Sequence, residues 1–241
     1  MYKPAGVLAQ GDETGDPALI DAAKAWLKDK YAKPGKVFLG LVHRLDRPVA
    51  GVFLLAKTSK AASRLAAQFR EGGVEKVYRA VVEGRPEPAE GRPGPAERTL
   101  RGYVVKDEAE WRSRLVEAGT PNAREAILDY HVLASEGGTS LVEVVPKTGR
   151  SHQIRVQLAG IGHPIVGDVK YGASERLAGG AIALYARVLR VTHPTRDERV
   201  EIAAGPPPVW PWPPGGKTAA LRCRPPTLGG CRRSSGRLSR R

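Results

Sequence analysis

The pattern that most constrains the fold is a series of short apolar stretches, each bounded by turn residues. Seven stretches have strand character, at 37–41, 51–56, 76–82, 126–134, 139–145, 182–191 and 199–202. Only three stretches carry apolar residues at helical spacing. Several neighbouring strands are close enough to pair directly, for example across Glu136-Gly137-Gly138. The sequence therefore predicts an α+β domain with a mixed, largely antiparallel central sheet flanked by helices.

The three helices are predicted from apolar periodicity and capping residues. The first covers 17–30, with Asp16 as its N-cap and Pro17 in the first helical position. Its apolar face is predicted to contain Leu19, Ala23, Trp26 and Leu27. Ser59 is predicted to cap a second helix that ends at Gly72-Gly73, and Ser151 to cap a third that ends near 160–162. The Pro- and Gly-rich segment 85–97 is predicted to be a surface loop.

Charge separates the chain into two parts. The formal net charge is +14, and the last 37 residues carry eight Lys and Arg with no Asp or Glu, which leaves +6 for residues 1–204. The same segment holds eight of the 20 prolines. We therefore predict one folded domain at 1–204 and a disordered basic tail at 205–241. The tail is equally well read as an idle spacer or as a non-specific RNA-binding arm, and Trp210 and Trp212 at its start could pack back on the domain.

Composition excludes several classes of protein. No run approaches the ~18 apolar residues of a membrane span, and the N-terminus lacks the apolar region of a signal peptide. Two cysteines, Cys223 and Cys231, are too few for a disulfide scaffold, so we expect a cytoplasmic protein. The basic balance favours a polyanionic partner, nucleic acid first and an anionic membrane second.

A first candidate for chemistry is the turn His43-Arg44-Leu45-Asp46-Arg47-Pro48, between two predicted strands. Arginines lie on both sides of Asp46, and nearby cations favour the ionised carboxylate. Such a carboxylate suits a nucleophile or a base acting on a substrate that positive charge attracts. On spacing alone, an Asp that caps a turn beside exposed arginines is the better interpretation.

A second candidate is the segment Lys147 to Arg155, where a strand runs into a helix. A helix N-terminus offers free amide donors and the positive end of the helix dipole, which together suit a phosphate. Lys147 and Arg150 add charge there. Arg155 lies one turn beyond Ser151 and could reach back to a buried acid. The alternative is a capped helix with solvated basic residues, but the crowding of polar residues favours function.

Two further segments are weaker signals. Tyr78 lies beside Lys76 and Arg79 on a predicted strand, so it could stack on a base, although such a Tyr is more often a core residue. The segment 162–172 (GHPIVGDVKYG) reads as an ordered loop. His163 in this loop has no second ligand at metal-binding spacing, so we propose no metal.

Together, these segments resemble the RluA-like family of RNA pseudouridine synthases. The matching sequences are KPAG at 3–6, HRLDRPVAG at 43–51, KVYRAVVEG at 76–84, KTGRSHQIRVQL at 147–158 and HPIVGDVKYG at 163–172. They occur in the family's order within residues 3–204. The combination of HRLD with GRxHQIR is highly specific, whereas either motif alone would be weaker.

The resemblance implies the pseudouridine-synthase fold and an enzyme that isomerises uridine within ribosomal or transfer RNA after flipping the base out of the stack. It implies one catalytic aspartate and no metal or cofactor. By motif position that residue is Asp46, which either attacks the anomeric carbon or removes the ribose 2′ proton. Arg44 would fill the gap left by the base, Tyr78 would stack on the uracil, and Arg155 would pair with Asp46.

The resemblance also implies supporting residues and partners. Arg150 is expected to contact phosphate or position the substrate, and Leu184 to line the uracil pocket. Lys147 and His152 are expected to bind RNA. The implied protein is a cytoplasmic monomer whose partner is an RNA stem-loop, with no membrane association.

Two departures and two alternatives accompany this interpretation. Relatives usually have a strand before KPAG, so we expect either a misassigned start codon or an absent first strand. Relatives commonly have His where this chain has Tyr185. The first alternative is a catalytically idle RNA-binding or ribosome-assembly factor on the same fold. The second is a basic membrane-surface or nucleoid protein that acts through the tail.

Overall fold

The computed structural model describes residues 1–13, 15–86 and 97–213. In these ranges there are three α-helices: α1 (Leu19–Lys30), α2 (Ser59–Glu71) and α3 (Gln153–Gly160). The same ranges contain eleven strands: β1 (Tyr2–Lys3), β2 (Gly40–Leu41), β3 (Ala50–Val52), β4 (Leu55–Ala56), β5 (Glu75–Glu83), β6 (Glu97–Asp107), β7 (Arg112–Val116), β8 (Arg124–Glu136), β9 (Thr139–Pro146), β10 (Leu184–Thr192) and β11 (Arg199–Ala203).

One large sheet organises the molecule. Its strand order is β1-β3-β10-β5-β9-β8-β6-β7, and β11 pairs with the C-terminal half of β10. All neighbours are antiparallel except β3 and β10, which are parallel. The predicted α+β class and mixed, largely antiparallel sheet are confirmed, as is the β8–β9 hairpin across 136–138.

The parallel pair β3–β10 depends on a glycine. Gly51 has φ +119, and a Cβ at this position would overlap the backbone of Ala186 on the neighbouring strand. Only glycine combines that backbone angle with so close an approach. Gly51 therefore lets the strand after the HRLD segment pack directly beside β10.

The predicted strands at 37–41 and 51–56 are wrong in extent. In the first, only Gly40–Leu41 is a strand, and the second is divided into β3 and β4. The division has a local cause, because the amide of Leu54 donates to His43 Nε2 at 2.9 Å instead of to a neighbouring strand. The two halves then pair with different partners, β3 with β1 and β10, and β4 with β2.

The sequence prediction missed the β6–β7 hairpin entirely. Its strands carry exposed charged residues between modest apolar ones, so the alternation is weak. Glu97, predicted as loop, already belongs to β6, and residues 87–96 lie outside the described part. Packing explains the hairpin: Gln157 of α3 donates to the carbonyls of Leu100 and Ala126, at 3.1 Å each, so α3 is tied to β6 and β8.

Two predicted helix caps are wrong at their first residue. Helix α1 begins at Leu19 because Ala18 forms a bridge with Leu8 and stays extended, while Asp16 pairs with Arg47 at 2.8 Å instead of capping. Helix α2 is capped by Thr58, whose hydroxyl accepts from the Ala61 amide, and not by Ser59.

The Ser151 cap of the third helix and the burial of Trp26 are also wrong. Helix α3 begins at Gln153, because His152 has φ 51 and takes the N-cap position without a side-chain cap. Trp26 is 57% exposed, so the apolar face of α1 consists of Leu19, Ile20, Ala23 and Leu27.

The segment after β11 returns to the domain. Trp210 and Trp212 pack against the main hydrophobic core, and the Trp210 ring meets Tyr185 edge-on with centroids 4.9 Å apart. The rest of the predicted tail, from residue 214, lies outside the described residues. No helix in the described ranges is long and apolar enough to cross a bilayer.

Candidate active site

The loop that carries Asp46 is anchored at its start by His43. The His43 ring lies between Phe53 and Phe69, at centroid distances of 5.0 and 4.9 Å. Burial lowers the pKa of His43 to about 4, with smaller contributions from Lys76 and the N-terminal amine. The neutral ring accepts the Leu54 amide proton, so this histidine supports the loop instead of taking part in chemistry.

The other end of the loop is held by a fully buried lysine. Lys3 Nζ donates to the carbonyls of Pro4, Arg47 and Val49 at 3.0, 3.1 and 2.8 Å. An ammonium has three protons, and each finds an acceptor here. Burial lowers the pKa of Lys3 to about 8. Since Val49 also donates its amide to the Asp46 carbonyl at 3.0 Å, the turn that presents Asp46 is fixed.

The Asp46 carboxylate faces a buried guanidinium. Arg155 Nη1 lies 3.4 Å from Asp46 Oδ2, while the other face of the guanidinium makes a two-pronged pair with Asp168 at 2.7 and 2.8 Å. Arg155 and Asp168 are both almost fully buried, whereas the Asp46 side chain remains 33% exposed. Asp168 therefore orients Arg155, and Arg155 presents positive charge to an accessible carboxylate.

His152 approaches the same carboxylate from a second direction. Its Nε2 lies 3.7 Å from Asp46 Oδ2, and its Nδ1 lies 2.7 Å from the Tyr171 hydroxyl. The Tyr171 hydroxyl accepts a hydrogen bond from the Ser113 amide at 2.8 Å, so we assign it as the donor to His152 Nδ1. Burial lowers the pKa of His152, more than Asp46 raises it. The neutral ring then points an Nε2–H at Asp46.

Tyr78 lies close enough to Asp46 for the two side chains to interact electrostatically. Burial raises the pKa of Tyr78, and the charge of Asp46 adds to that rise, so the phenol stays protonated. Leu184, on the strand beside that of Tyr78, is buried on β10 opposite Ala80 of β5. Tyr78 therefore adds an aromatic hydroxyl to a charged site, whereas Leu184 belongs to the main hydrophobic core.

The remaining predicted residues do not converge on Asp46. Arg44 is exposed, and no hydrogen bond or ion pair to it is found within the described ranges. The Nε of Arg150 donates to the Glu125 carbonyl at 2.8 Å, which ties it to the start of β8. Lys147 pairs with Asp129 at 2.9 Å, and the hydrogen bond from Lys147 contributes to the lowered pKa of Asp129.

Asp168, Tyr171 and Ser113 are site residues that the sequence analysis did not assign. Asp168 and Tyr171 belong to the GDVKYG segment at 167–172. A carboxylate and an aromatic residue between two glycines were the sequence signal that could have identified them as site residues. Ser113 lies on the missed β7, so nothing in the local sequence marked it. Its role follows only from tertiary packing, since its hydroxyl also donates to the Ser151 carbonyl at 2.8 Å.

Comparison with known proteins agrees with this geometry. The sequence model of the family described as RNA pseudouridylate synthase matches residues 1–160. The chain belongs to this family. The match covers the loop of Asp46 and the helix of Arg155, and it confirms the resemblance to RluA-like enzymes.

Individual relatives match across most of the described chain. The chain is 31% identical over 219 residues to the ribosomal large subunit pseudouridine synthase D of Zymomonas mobilis, covering 85% of this chain and 65% of the relative. It is 32% identical over 210 residues to the ribosomal large subunit pseudouridine synthase C of Vibrio parahaemolyticus, covering 85% and 61%. This chain thus spans somewhat less than two thirds of the length of these relatives.

A solved structure supports the same fold. The human RNA pseudouridylate synthase domain containing 4 protein superposes with a TM-score of 0.68 at 26% identity, covering 86% of this chain and 84% of the other. The fold of this pseudouridylate synthase domain is therefore present here.

Proposed function

We propose that this protein isomerises uridine to pseudouridine within RNA, with Asp46 as the catalytic residue. The observation that carries the proposal is the one-third-exposed Asp46 carboxylate beside an Arg155 that Asp168 holds in place. The arrangement combines an accessible nucleophile or base with a fixed counter-charge. It supports either attack on the anomeric carbon or removal of the 2′ proton.

The reaction breaks the bond from uracil N1 to the ribose and forms a bond from C5 to the same carbon, so the C5 hydrogen is released. The base leaves the RNA stack at a cost of a few kcal/mol. Arg44 is exposed and has no hydrogen-bond or ion-pair partner among the described residues, so it is suited to fill the gap. Tyr78 stacks on the uracil and keeps a proton available, and Leu184 forms the apolar wall.

Other predicted residues act on the RNA around the target. His152 faces Asp46, so it contacts the flipped nucleotide instead of the phosphate backbone. Arg150 positions the substrate from its anchor on Glu125. Lys147 exchanges Asp129 for an RNA phosphate at low free-energy cost, because a partly exposed ion pair is weak. Ribosomal RNA is favoured over transfer RNA because both named relatives are ribosomal large subunit enzymes. The protein acts as a cytoplasmic monomer with its catalytic domain at 1–204.

The test is tritium release from RNA labelled at C5 of uridine. Wild-type protein should release tritium, and Asp46→Asn should not, while it still folds and binds RNA. Glu143→Gln is a matched control, because Glu143 is 30% exposed and also pairs with one cation, Arg79. Full release by Asp46→Asn would refute the role of Asp46. RNA binding by wild type without release from any cellular RNA would instead indicate an idle binding factor.

A further inference from the structure

The C-terminal half of α1 and the loop after it form an exposed surface rich in lysine and aromatic residues. We call it the lysine–aromatic surface; it comprises Lys24, Trp26, Lys28, Lys30, Tyr31, Lys33, Lys36, Phe38 and the neighbouring Lys57. Its three rings are 57%, 51% and 50% exposed in chain order. Exposed rings in this number indicate an interaction site more than a structural role.

Positive charge is concentrated on this surface. Residues 24–38 contain five lysines and one acid, Asp29, so their net charge is +4, against +6 for residues 1–204. Within the described ranges, Lys24 pairs with Asp21, and no ion pair is found for the other lysines of the surface. Residues 24–38 therefore hold +4 of the +6 of residues 1–204, and four of their five lysines have no ion pair within the part of the chain that the structure describes.

Lysines and rings alternate in space as well as in sequence. Lys30 Nζ lies 4.4 Å from the centroid of the Trp26 ring and 5.8 Å from that of Tyr31, and Lys57 Nζ lies 5.5 Å from Tyr31. Beside them is an open cavity of about 310 Å³, lined by Lys24, Ala25, Lys28, Gly35, Lys36 and Val37. Flat rings and ammonium groups at this spacing match the alternating bases and phosphates of a single strand.

The fold does not account for these residues. Helix α1 packs through Leu19, Ile20, Ala23 and Leu27 onto Leu39 and the strands behind it. Because that apolar face is buried, α1 cannot lay it into a bilayer as an interfacial helix does. An RNA ligand is favoured over a membrane for this reason.

The surface is physically connected to the proposed catalytic loop. Asp16, before α1, pairs with Arg47 at 2.8 Å, and Leu19 donates its amide to the Leu8 carbonyl. A helix of twelve residues is about 18 Å long. The lysine–aromatic surface therefore lies within roughly one helix length, about 18 Å, of Arg47, the residue that follows Asp46. A substrate RNA can span this distance.

We propose that the lysine–aromatic surface binds a single-stranded or looped part of the RNA substrate outside the target nucleotide. Trp26, Tyr31 and Phe38 stack on bases, and Lys28, Lys30, Lys33 and Lys36 contact phosphates. This inference rests on the proposed function for the identity of the ligand. Stacking with phosphate contacts gives affinity with little sequence preference.

The test compares two triple variants of equal charge change. The first, the lysine variant, changes Lys28, Lys30 and Lys33 to Gln. The second, the control, changes to Gln three exposed cations that each pair with a glutamate: Arg70, Arg196 and Arg199. Binding of a fluorescent oligouridine of about 20 nucleotides is followed by anisotropy over a salt series. The lysine variant should bind at least about tenfold more weakly and lose about 2 from its salt slope, at about 0.7 per phosphate contact.

Stacking is tested separately. Trp26→Ala should weaken oligouridine binding by about fivefold or more and leave the salt slope unchanged. Equal losses in both triple variants, or no loss in the lysine variant, would overturn the inference. So would a lysine variant that keeps RNA affinity but loses binding to phosphatidylserine vesicles. RNA binding is measured independently of catalysis. If wild type releases no tritium but the lysine and Trp26 variants still show the predicted losses of binding, only the proposed function is rejected and the inference stands.

Discussion

Asp168→Asn tests whether the buried acid controls the candidate active site. The substitution keeps the side-chain volume but removes the charge that faces Arg155 at 2.7 and 2.8 Å, and it places an amide NH₂ where one carboxylate oxygen accepted a proton. The guanidinium then keeps one hydrogen bond at most to the amide oxygen of Asn, and Asp46 at 3.4 Å is its one remaining charged partner in the described ranges. Breaking one partner of a buried ion pair costs about 3–5 kcal/mol, and we expect a loss in that range.

The assay is urea unfolding at neutral pH, with Asp46→Asn as the control. Asp46 is partly exposed and makes only long contacts, so its substitution should cost less than about 1 kcal/mol. Tritium release should vanish in Asp46→Asn and fall by about a hundredfold in Asp168→Asn, because Arg155 is misplaced. Unfolding free energies of Asp168→Asn and wild type that agree within about 1 kcal/mol would refute the argument.

A second variant keeps the test informative if Asp168→Asn does not fold. Replacing a buried ion pair by apolar residues of similar volume is often neutral or stabilising. Asp168→Leu combined with Arg155→Met should therefore be more stable than Asp168→Asn and should release no tritium. A double variant with wild-type activity would show that Arg155 has no part in the reaction.

Three further predictions concern stability. Folded His43 stays neutral down to about pH 4, whereas histidine in the unfolded chain is protonated below about pH 6.5. The free energy of unfolding of wild type should therefore fall by up to roughly 3 kcal/mol as the pH is lowered between those values. In urea titrations over the same pH window, the free energy of unfolding of His43→Gln should fall less. Gly51→Ala should lower the free energy of unfolding by at least about 2 kcal/mol, while Gly11→Ala, with open space around it, should change it little in the same urea titration. Lys3→Met removes the ammonium that donates to three carbonyls, of which that of Arg47 keeps the Gly6 amide as a donor, and it should cost more than about 2 kcal/mol in chemical denaturation. A cost near zero would mean that the Asp46 loop is held by other contacts.

The sequence predicted the elements whose signal is local. The alternation of β8 and β9 is strong because one face of each strand meets the core, and β5 and β10 contain apolar runs that are buried over much of their length, so these four strands are confirmed. The β6–β7 hairpin was missed because its strands are stabilised by packing on α3, which no local pattern records. The Ser151 cap failed for a similar reason, since the chain before α3 turns through a left-handed His152 that contacts Tyr171.

For the candidate active site, the motif located Asp46 and Arg155 but not the reason for their geometry. The contact of Arg155 with Asp46 agrees with the expected pairing. The stronger partner, Asp168, could be assigned only once the fold placed it within 2.8 Å of the guanidinium. His43 begins the same motif and was assigned no role, and its surroundings indicate structural support.

The Lys3 contacts make the proposed catalytic loop dependent on a strand of two residues at the edge of the sheet. β1 pairs with β3 through Tyr2 and Lys3, and Met1 adds two hydrogen bonds to Phe53, so the opening of β1 is expected to cost less than unfolding of the whole domain. When β1 separates, the carbonyls of Arg47 and Val49 lose their common donor. The integrity of the Asp46 turn is therefore set by a fraying equilibrium some 40 residues away in sequence, so amide exchange at Val49 should follow the opening of β1 and not the unfolding of the whole domain.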